Sequence, residues 1–178
     1  MATVPHETGP AGRGPRQTRG KHPMADLQRT LLLVKPDGVQ RQLVGRVLTR
    51  FEERGLKPVG LKLVQVDRAL AEQHYAVHRD KPFFKGLVEF ITSGPLVAAA
   101  LEGPNAIAIV RAMNGATRPH EAAPGSIRGD FAVETAQNLV HASDSPETAA
   151  AELALWFRPQ ELVSYQREID RWVLAPGD

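Results

Sequence analysis

The chain of 178 residues contains no cysteine. Disulfide staples, thiolate zinc clusters and thiol catalysis are therefore excluded. Long apolar runs are also missing: the longest, Leu96 to Leu101, falls far short of the roughly 20 residues that span a bilayer. No charged n-region followed by an apolar stretch opens the chain, so a cytoplasmic protein with no membrane partner is expected. The loops that cradle phosphates with backbone amides are absent too. There is no G-x-x-x-x-G-K-[ST] and no G-x-G-x-x-G between a strand and a helix. If this chain handles phosphates, its side chains must neutralise them.

What is present is an ordinary soluble composition, 42% hydrophobic and 24% charged, at a length that suits one domain with a substantial core. The net charge of +2 is unevenly placed. In residues 1–23, Arg13, Arg16, Arg19 and Lys21 face Glu7 alone, a net +3 that leaves 24–178 at −1. A near-neutral body is no broad electrostatic footprint for nucleic acid, which is not expected as the main ligand. The basic segment is rich in glycine and proline and cannot offset its ordering entropy by burial. Residues 1–26 are accordingly expected to be a disordered extension, and 27–178 the folded unit. Met24 leaves three origins open for the extension: an upstream start codon, an added leader or a targeting peptide. The last is weakest for want of serine and an Arg-rich amphipathic stripe.

Along the folded part, Thr30 to Val34 reads as a buried strand ending in the turn chemistry of Pro36-Asp37-Gly38. Leu43, Val47 and Phe51 recur every four residues, a helix that Gly55 stops. Val59, Leu61 and Leu63 alternate with Gly60 and Lys62, as in a half-exposed strand. A mixed segment, 67–92, precedes a second buried strand at Leu96 to Leu101. Asn105 can cap a helix carrying Ile107, Val110 and Met113, with Gly115 past its end. From Ala116 to Asp130 periodicity is lost, and a long irregular loop in a compact domain is more often functional than not. Val133 to Val140 reads as a returning strand. Ser145 then caps a helix with Pro146 in its first turn and Ala149, Leu153 and Trp156 as its core stripe. This alternation predicts an α/β or α+β fold, without fixing strand order.

His141 ends an apolar segment and is followed by Ser143 and Asp144. A neutral imidazole is an abundant nucleophile near pH 7, and a neighbouring hydroxyl or carboxylate can fix its tautomer. Taken alone, such a histidine is more often a satisfied half-buried residue. Lys35, Arg111 and Arg128 fall at element ends or in the long loop, where a scaffold presents reactive groups, and their forks and point charge suit phosphate. Singly, each reads as a solvated surface charge. Tyr75 and Phe83 serve either as core filler or, for a ring beside Arg79, Asp80 and Lys81, as a stacking platform for a base. Arg128-Gly129-Asp130 matches an adhesion tripeptide only by coincidence.

Several stretches together resemble nucleoside diphosphate kinases: Lys35-Pro36-Asp37-Gly38-Val39-Gln40-Arg41, Pro82-Phe83-Phe84, Ser93-Gly94-Pro95, Pro124 through Phe131, and Asn138 through Ser145. The resemblance runs from about Leu27 to Trp172. It implies a ferredoxin-like α/β (α+β) sandwich with a four-stranded antiparallel sheet flanked by helices, and ping-pong transfer of a γ-phosphate between nucleoside tri- and diphosphates. It implies that His141 is phosphorylated on Nδ1, with Glu152 on Nε2 and Ser143 in support. Lys35, Tyr75, Arg111, Thr117 and Arg128 would address phosphates or the reacting group, Lys35 and Asn138 the sugar hydroxyls, and Phe83 the base. Mg2+ would arrive with the nucleotide, Asp144 its nearest carboxylate, through water if not directly. The C-terminal segment with Pro159, Tyr165 and Trp172 resembles that of members forming homo-oligomers, a hexamer ahead of a tetramer. Three positions depart from the family pattern: Ala142 where glycine is usual, Asn114 at a commonly apolar place and Arg118 for a frequent asparagine.

Two other readings stay open on the residues. A ferredoxin-like sheet can bind RNA, although no RNP1-like run of glycine and aromatics is present. A regulatory relative without turnover would keep the fold, although His141, Lys35 and Arg128 are intact.

Overall fold

The computed structural model describes residues 27–174, so the expected extension lies outside the described residues. Its centre is β1 (Leu27–Val34), which pairs on one side with β3 (Leu96–Pro104) and on the other with the short β4 (Val140–Ala142). β2 (Lys57–Val64) pairs with the far side of β3, giving an antiparallel sheet in the order β2-β3-β1-β4. Two strand–helix–strand units build it. One crosses through α2 (Val44–Glu53) and the other through α5 (Ala106–Asn114). This is the ferredoxin-like sandwich that the sequence resemblance implied.

The period-2 geometry of a strand explains why Leu31 to Val34 read as an unbroken apolar run. Leu32 and Val34 enter a core with Val47 and Phe51 of α2 and Val110 of α5. Leu31 and Leu33 enter a second core on the opposite face. There they meet α3 (Arg68–His74), α4 (Phe84–Thr92) and α7 (Pro146–Trp156) through Ala71, Ile91, Leu153 and Trp156. Each fully buried large side chain contributes about 1.5–3 kcal/mol by leaving water. Both faces of the central strands are therefore committed, and register decides which core each side chain joins. His141 lies opposite Leu33 in the β1–β4 ladder. It therefore projects to the face covered by α3, α4 and α7.

Local expectations met several corrections. Pro36-Asp37-Gly38 is the first turn of a short helix, α1 (Pro36–Gln40), because proline's fixed φ suits the N1 position. The mixed segment holds α3 and α4, whose joining stretch carries Tyr75 and Phe83. The long loop is partly ordered by a 3-10 turn at Pro119–Glu121 and by α6 (Ile127–Phe131). The strand expected over Val133 to Val140 is confined to Val140–Ala142, the only part that β1 is placed to pair. Asn105 stands at the N-terminus of α5, yet with φ 52° and no side-chain cap bond. Leu61 and Leu63 are 57% and 67% exposed, since a bulge between Pro58 and Gly60 shifts the β2 register and turns them outward. A last short helix, α8 (Asp170–Val173), ends the described chain. No helix among the described residues is long and apolar enough to cross a membrane.

Candidate active site

β4, the α3–α4 stretch, the end of α5, the α5–β4 loop and α7 surround an open cavity of about 1260 Å³. Every residue singled out from the sequence lines it except Ser143, which lies directly behind: Lys35, Tyr75, Phe83, Arg111, Thr117, Arg128, Asn138, His141, Asp144 and Glu152. Three cations that were separate surface charges in the sequence thus converge on one wall system.

α7 begins where Ser145 and Thr148 cap each other, Ser145 Oγ accepting from the Thr148 amide and Thr148 Oγ1 from the Ser145 amide. That fixes the helix start two turns before Glu152 and aims its carboxylate at β4. His141 Nε2 lies 2.7 Å from Glu152 Oε1, and Ser143 Oγ donates to Oε2 at 2.5 Å. Ser143 Oγ in turn accepts from the Leu31 amide at 3.3 Å. Burial alone would raise the Glu152 pKa, but the hydrogen bonds from His141 and Ser143, with the favourable electrostatics of the two nearby imidazoles, outweigh it and hold the carboxyl below its usual value. An ionised carboxylate only accepts. In the neutral imidazole the proton therefore belongs on Nε2 and Nδ1 keeps a lone pair, on a side chain that is 29% exposed in the cavity wall. A core histidine would be neither so exposed nor so oriented.

His74 and Trp156 brace this pair from behind. The Trp156 indole N–H donates to His74 Nδ1 at 3.2 Å, and the His74 ring meets His141 edge to face, centroids 4.6 Å apart. Burial, aided by His141, pushes the His74 pKa down to about 3, so it stays neutral beside His141. One atom each from His74, His141 and Glu152 lie within 4.8 Å of one another. Glu152 engages His141 Nε2 and Trp156 engages His74 Nδ1, so the trio reads as a hydrogen-bonded brace, with His74 Nε2 buried and without a partner among the described residues. Sequence reasoning gave His74 no role and Trp156 only a core one. Neither sequence neighbour signals a contact 82 residues long.

On the facing wall, Lys35 Nζ donates to Asn138 Oδ1 at 2.6 Å, and Asn138 Nδ2 donates to the Thr117 carbonyl at 2.8 Å. Burial lowers the Lys35 pKa to about 8, against an opposing pull from Asp37 and with help from Arg128. The Arg128 guanidinium spans three carbonyls, Gly115 and Val140 at 2.7 Å each and Asn138 at 3.2 Å. Burial and the nearby Arg111 bring its pKa down to about 10. Arg111 lies in the last turn of α5 and is exposed to the cavity. Tyr75 is buried, and burial with the Glu152 charge pushes its hydroxyl up to about 12, a neutral donor at any working pH. Phe83 is 54% exposed on the cavity rim, free to offer its face. Asp144 is exposed and holds Thr148 Oγ1 through one carboxylate oxygen at 2.7 Å. Its other oxygen suits a hard cation, and a single carboxylate fits magnesium that brings its remaining ligands with it. Ala142 keeps its methyl buried away from the imidazole face, and Arg118 pairs with Glu121 at 3.1 Å. Buried Asn114 leaves Oδ1 without a partner among the described residues.

A cavity with a half-exposed imidazole, converging cations and an open aromatic ring has close counterparts. The family model for nucleoside diphosphate kinase matches residues 28–162. A nucleoside diphosphate kinase of Thermomicrobium roseum is 59% identical over 149 residues, covering 84% of this chain and 100% of that protein. One from Carboxydothermus hydrogenoformans is 55% identical over 83% of this chain and 99% of its own length. Among solved structures, the halophilic enzyme of Halobacterium salinarum in complex with CDP superposes with a TM-score of 0.82 at 49% identity, covering 83% of this chain and 99% of that one. A nucleoside diphosphate kinase family protein from Babesia bovis gives 0.80 at 50% identity, over 82% and 99%. Agreement at this level over nearly the whole described fold leaves one assignment, and the chain belongs to the nucleoside diphosphate kinase family.

Proposed function

We propose that this chain is a nucleoside diphosphate kinase whose phosphoryl carrier is Nδ1 of His141. The observation that carries the reading is the 2.7 Å contact of His141 Nε2 with Glu152, which in the neutral ring assigns the proton to Nε2 and the lone pair to Nδ1, in a cavity lined by Lys35, Arg111 and Arg128. In the first half-reaction the Nδ1 lone pair attacks the γ-phosphorus, and the bond to the bridging oxygen breaks with its electron pair going to the departing diphosphate. The ring gains positive character, which the Glu152 carboxylate balances through the Nε2 proton. In the second, a terminal oxygen of another nucleoside diphosphate takes the phosphoryl group and the lone pair returns to Nδ1. Such a transfer is mainly positioning and charge neutralisation, and a covalent intermediate lets one site serve donor and acceptor in turn.

Lys35, Arg111 and Arg128 are the groups for the phosphate oxygens, with Tyr75 and Thr117 as neutral donors beside them. Asn138 and Lys35 address the sugar, and Phe83 stacks on any base, since every base has a π-face. Magnesium, when bound with the nucleotide, supplies further neutralisation of phosphate charge, with Asp144 the residue to hold it. Residues 27–178 are read as one catalytic unit. Leu61 and Leu63, exposed on the edge strand β2, support a homo-oligomer, and the resemblance of the C-terminal segment favours a hexamer before a tetramer. The test of the carrier is incubation with labelled ATP. An acid-labile, alkali-stable phosphoprotein that passes its label to nucleoside diphosphates, and that His141→Ala abolishes, is expected; equal labelling of the variant refutes the assignment.

A further inference from the structure

Leu139 is fully buried yet holds φ at +70°, a backbone region that branched L-residues avoid. The Val140 amide donates to the Asn138 carbonyl at 2.8 Å, so Asn138-Leu139-Val140 is the positive-φ γ-turn, the rarer and more strained kind. Nothing in the packing of a leucine demands this. What the turn does is separate two site residues, placing Asn138 against Lys35 and, two residues on, His141 in register on β4.

The three carbonyls of the turn and the Leu139 amide are each held by a residue outside it. Arg128 takes the carbonyls of Asn138 and Val140, and the Lys35 amide donates to the Leu139 carbonyl at 2.8 Å. The Leu139 amide donates to Asp37 Oδ2 at 2.9 Å, across 102 residues. α1 approaches so closely that a Cβ on Gly38 would stand 3.3 Å from the Leu139 carbonyl oxygen and 2.6 Å from a Val34 methyl. Asp37 accepts a cost in return: its Oδ1 is buried with no hydrogen-bond partner among the described residues. A partly buried, half-satisfied carboxylate and a strained turn, each costly alone, meet at one hydrogen bond two residues before His141.

We propose that Asp37 is a positioning residue for phosphoryl transfer: its carboxylate locks the strained turn at Leu139 and so sets the spacing between Asn138 and His141. This rests on His141 being the phosphoryl carrier, and it assigns to Asp37 no contact with the nucleotide.

The experiment is rapid-quench phosphorylation of His141 by saturating Mg-ATP, single turnover, at pH 6.5, below the value of about 8 that Lys35 has beside Asp37. Asp37→Ala is expected to slow the step at least tenfold, while Asp37→Asn, whose amide oxygen can accept the same N–H, stays within about threefold. Glycine adopts the turn without strain. Leu139→Gly added to Asp37→Ala should therefore cost less than the product of the two single losses, although thermal unfolding shows the double variant to be the less stable. Rate and stability would then move apart, which a merely structural aspartate would not produce. A wild-type rate in Asp37→Ala, an equal loss in Asp37→Asn, or losses that multiply in the double variant overturns the proposal. Absence of any phosphohistidine in the unsubstituted chain would instead overturn the proposed function.

Discussion

Replacing Glu152 by glutamine tests the electrostatic half of the site while changing little of its shape. The carboxylate accepts from His141 Nε2 at 2.7 Å and from Ser143 Oγ at 2.5 Å. A glutamine can still offer its oxygen to the imidazole, because Ser143 can turn from donor to acceptor toward the amide nitrogen. The tautomer then survives, and what is lost is the negative charge facing the positive character that builds on the ring during transfer. A hydrogen bond to a charged group is worth about 1.5–3 kcal/mol, and each 1.36 kcal/mol is tenfold in rate. The phosphorylation step of Glu152→Gln should therefore slow by roughly 10- to 150-fold, with little change in KM because the carboxylate faces the imidazole rather than the phosphates. Single-turnover labelling by ATP measures the step directly. A rate within twofold of wild type would refute the idea that the carboxylate charge is used in the transition state, and a matching rise in KM would place Glu152 on the substrate instead.

Lys35 carries its positive charge only below its lowered pKa of about 8, so kcat/KM for nucleotide should fall as pH rises through that value, and Lys35→Arg should flatten the profile; an unchanged alkaline limb in Lys35→Arg contradicts this. The same depression has a stability consequence. The unfolded chain binds more protons than the folded one between about 8 and the ordinary lysine value of 10.5, so denaturant unfolding of the nucleotide-free protein should show the Lys35 contribution becoming more favourable across that window and absent in Lys35→Met. Phe51, fully buried under the other sheet face from His141, should cost about 3–5 kcal/mol when cut to alanine, read by urea denaturation, with the turnover of the remaining folded molecules unchanged. Paired Leu61→Asp and Leu63→Asp exchanges on the β2 edge should lower the mass seen by sedimentation while leaving the His141 brace intact; an unaltered mass would remove these leucines from any subunit contact.

The sequence by itself determined what depends on neighbours along the chain. Continuous apolar β1, the four-residue stripe of α2 ended by Gly55, and the Ser145-Pro146 start of α7 are all local patterns, set by strand and helix periods and by capping chemistry. The motif order from Lys35 to Ser145 made the family legible as well. Tertiary structure decided whatever depends on register and long contacts. Pairing with Leu33 rather than with its neighbour puts His141 on the α7 face, and a slip of one residue would have sent it to the opposite core. The outward turn of Leu61 and Leu63 came from a bulge that alternation alone cannot reveal. The His74–Trp156 brace and the Asp37 bond to Leu139 join residues 82 and 102 positions apart. Local propensity has no reach over such distances, and only the closed sandwich brings those groups together.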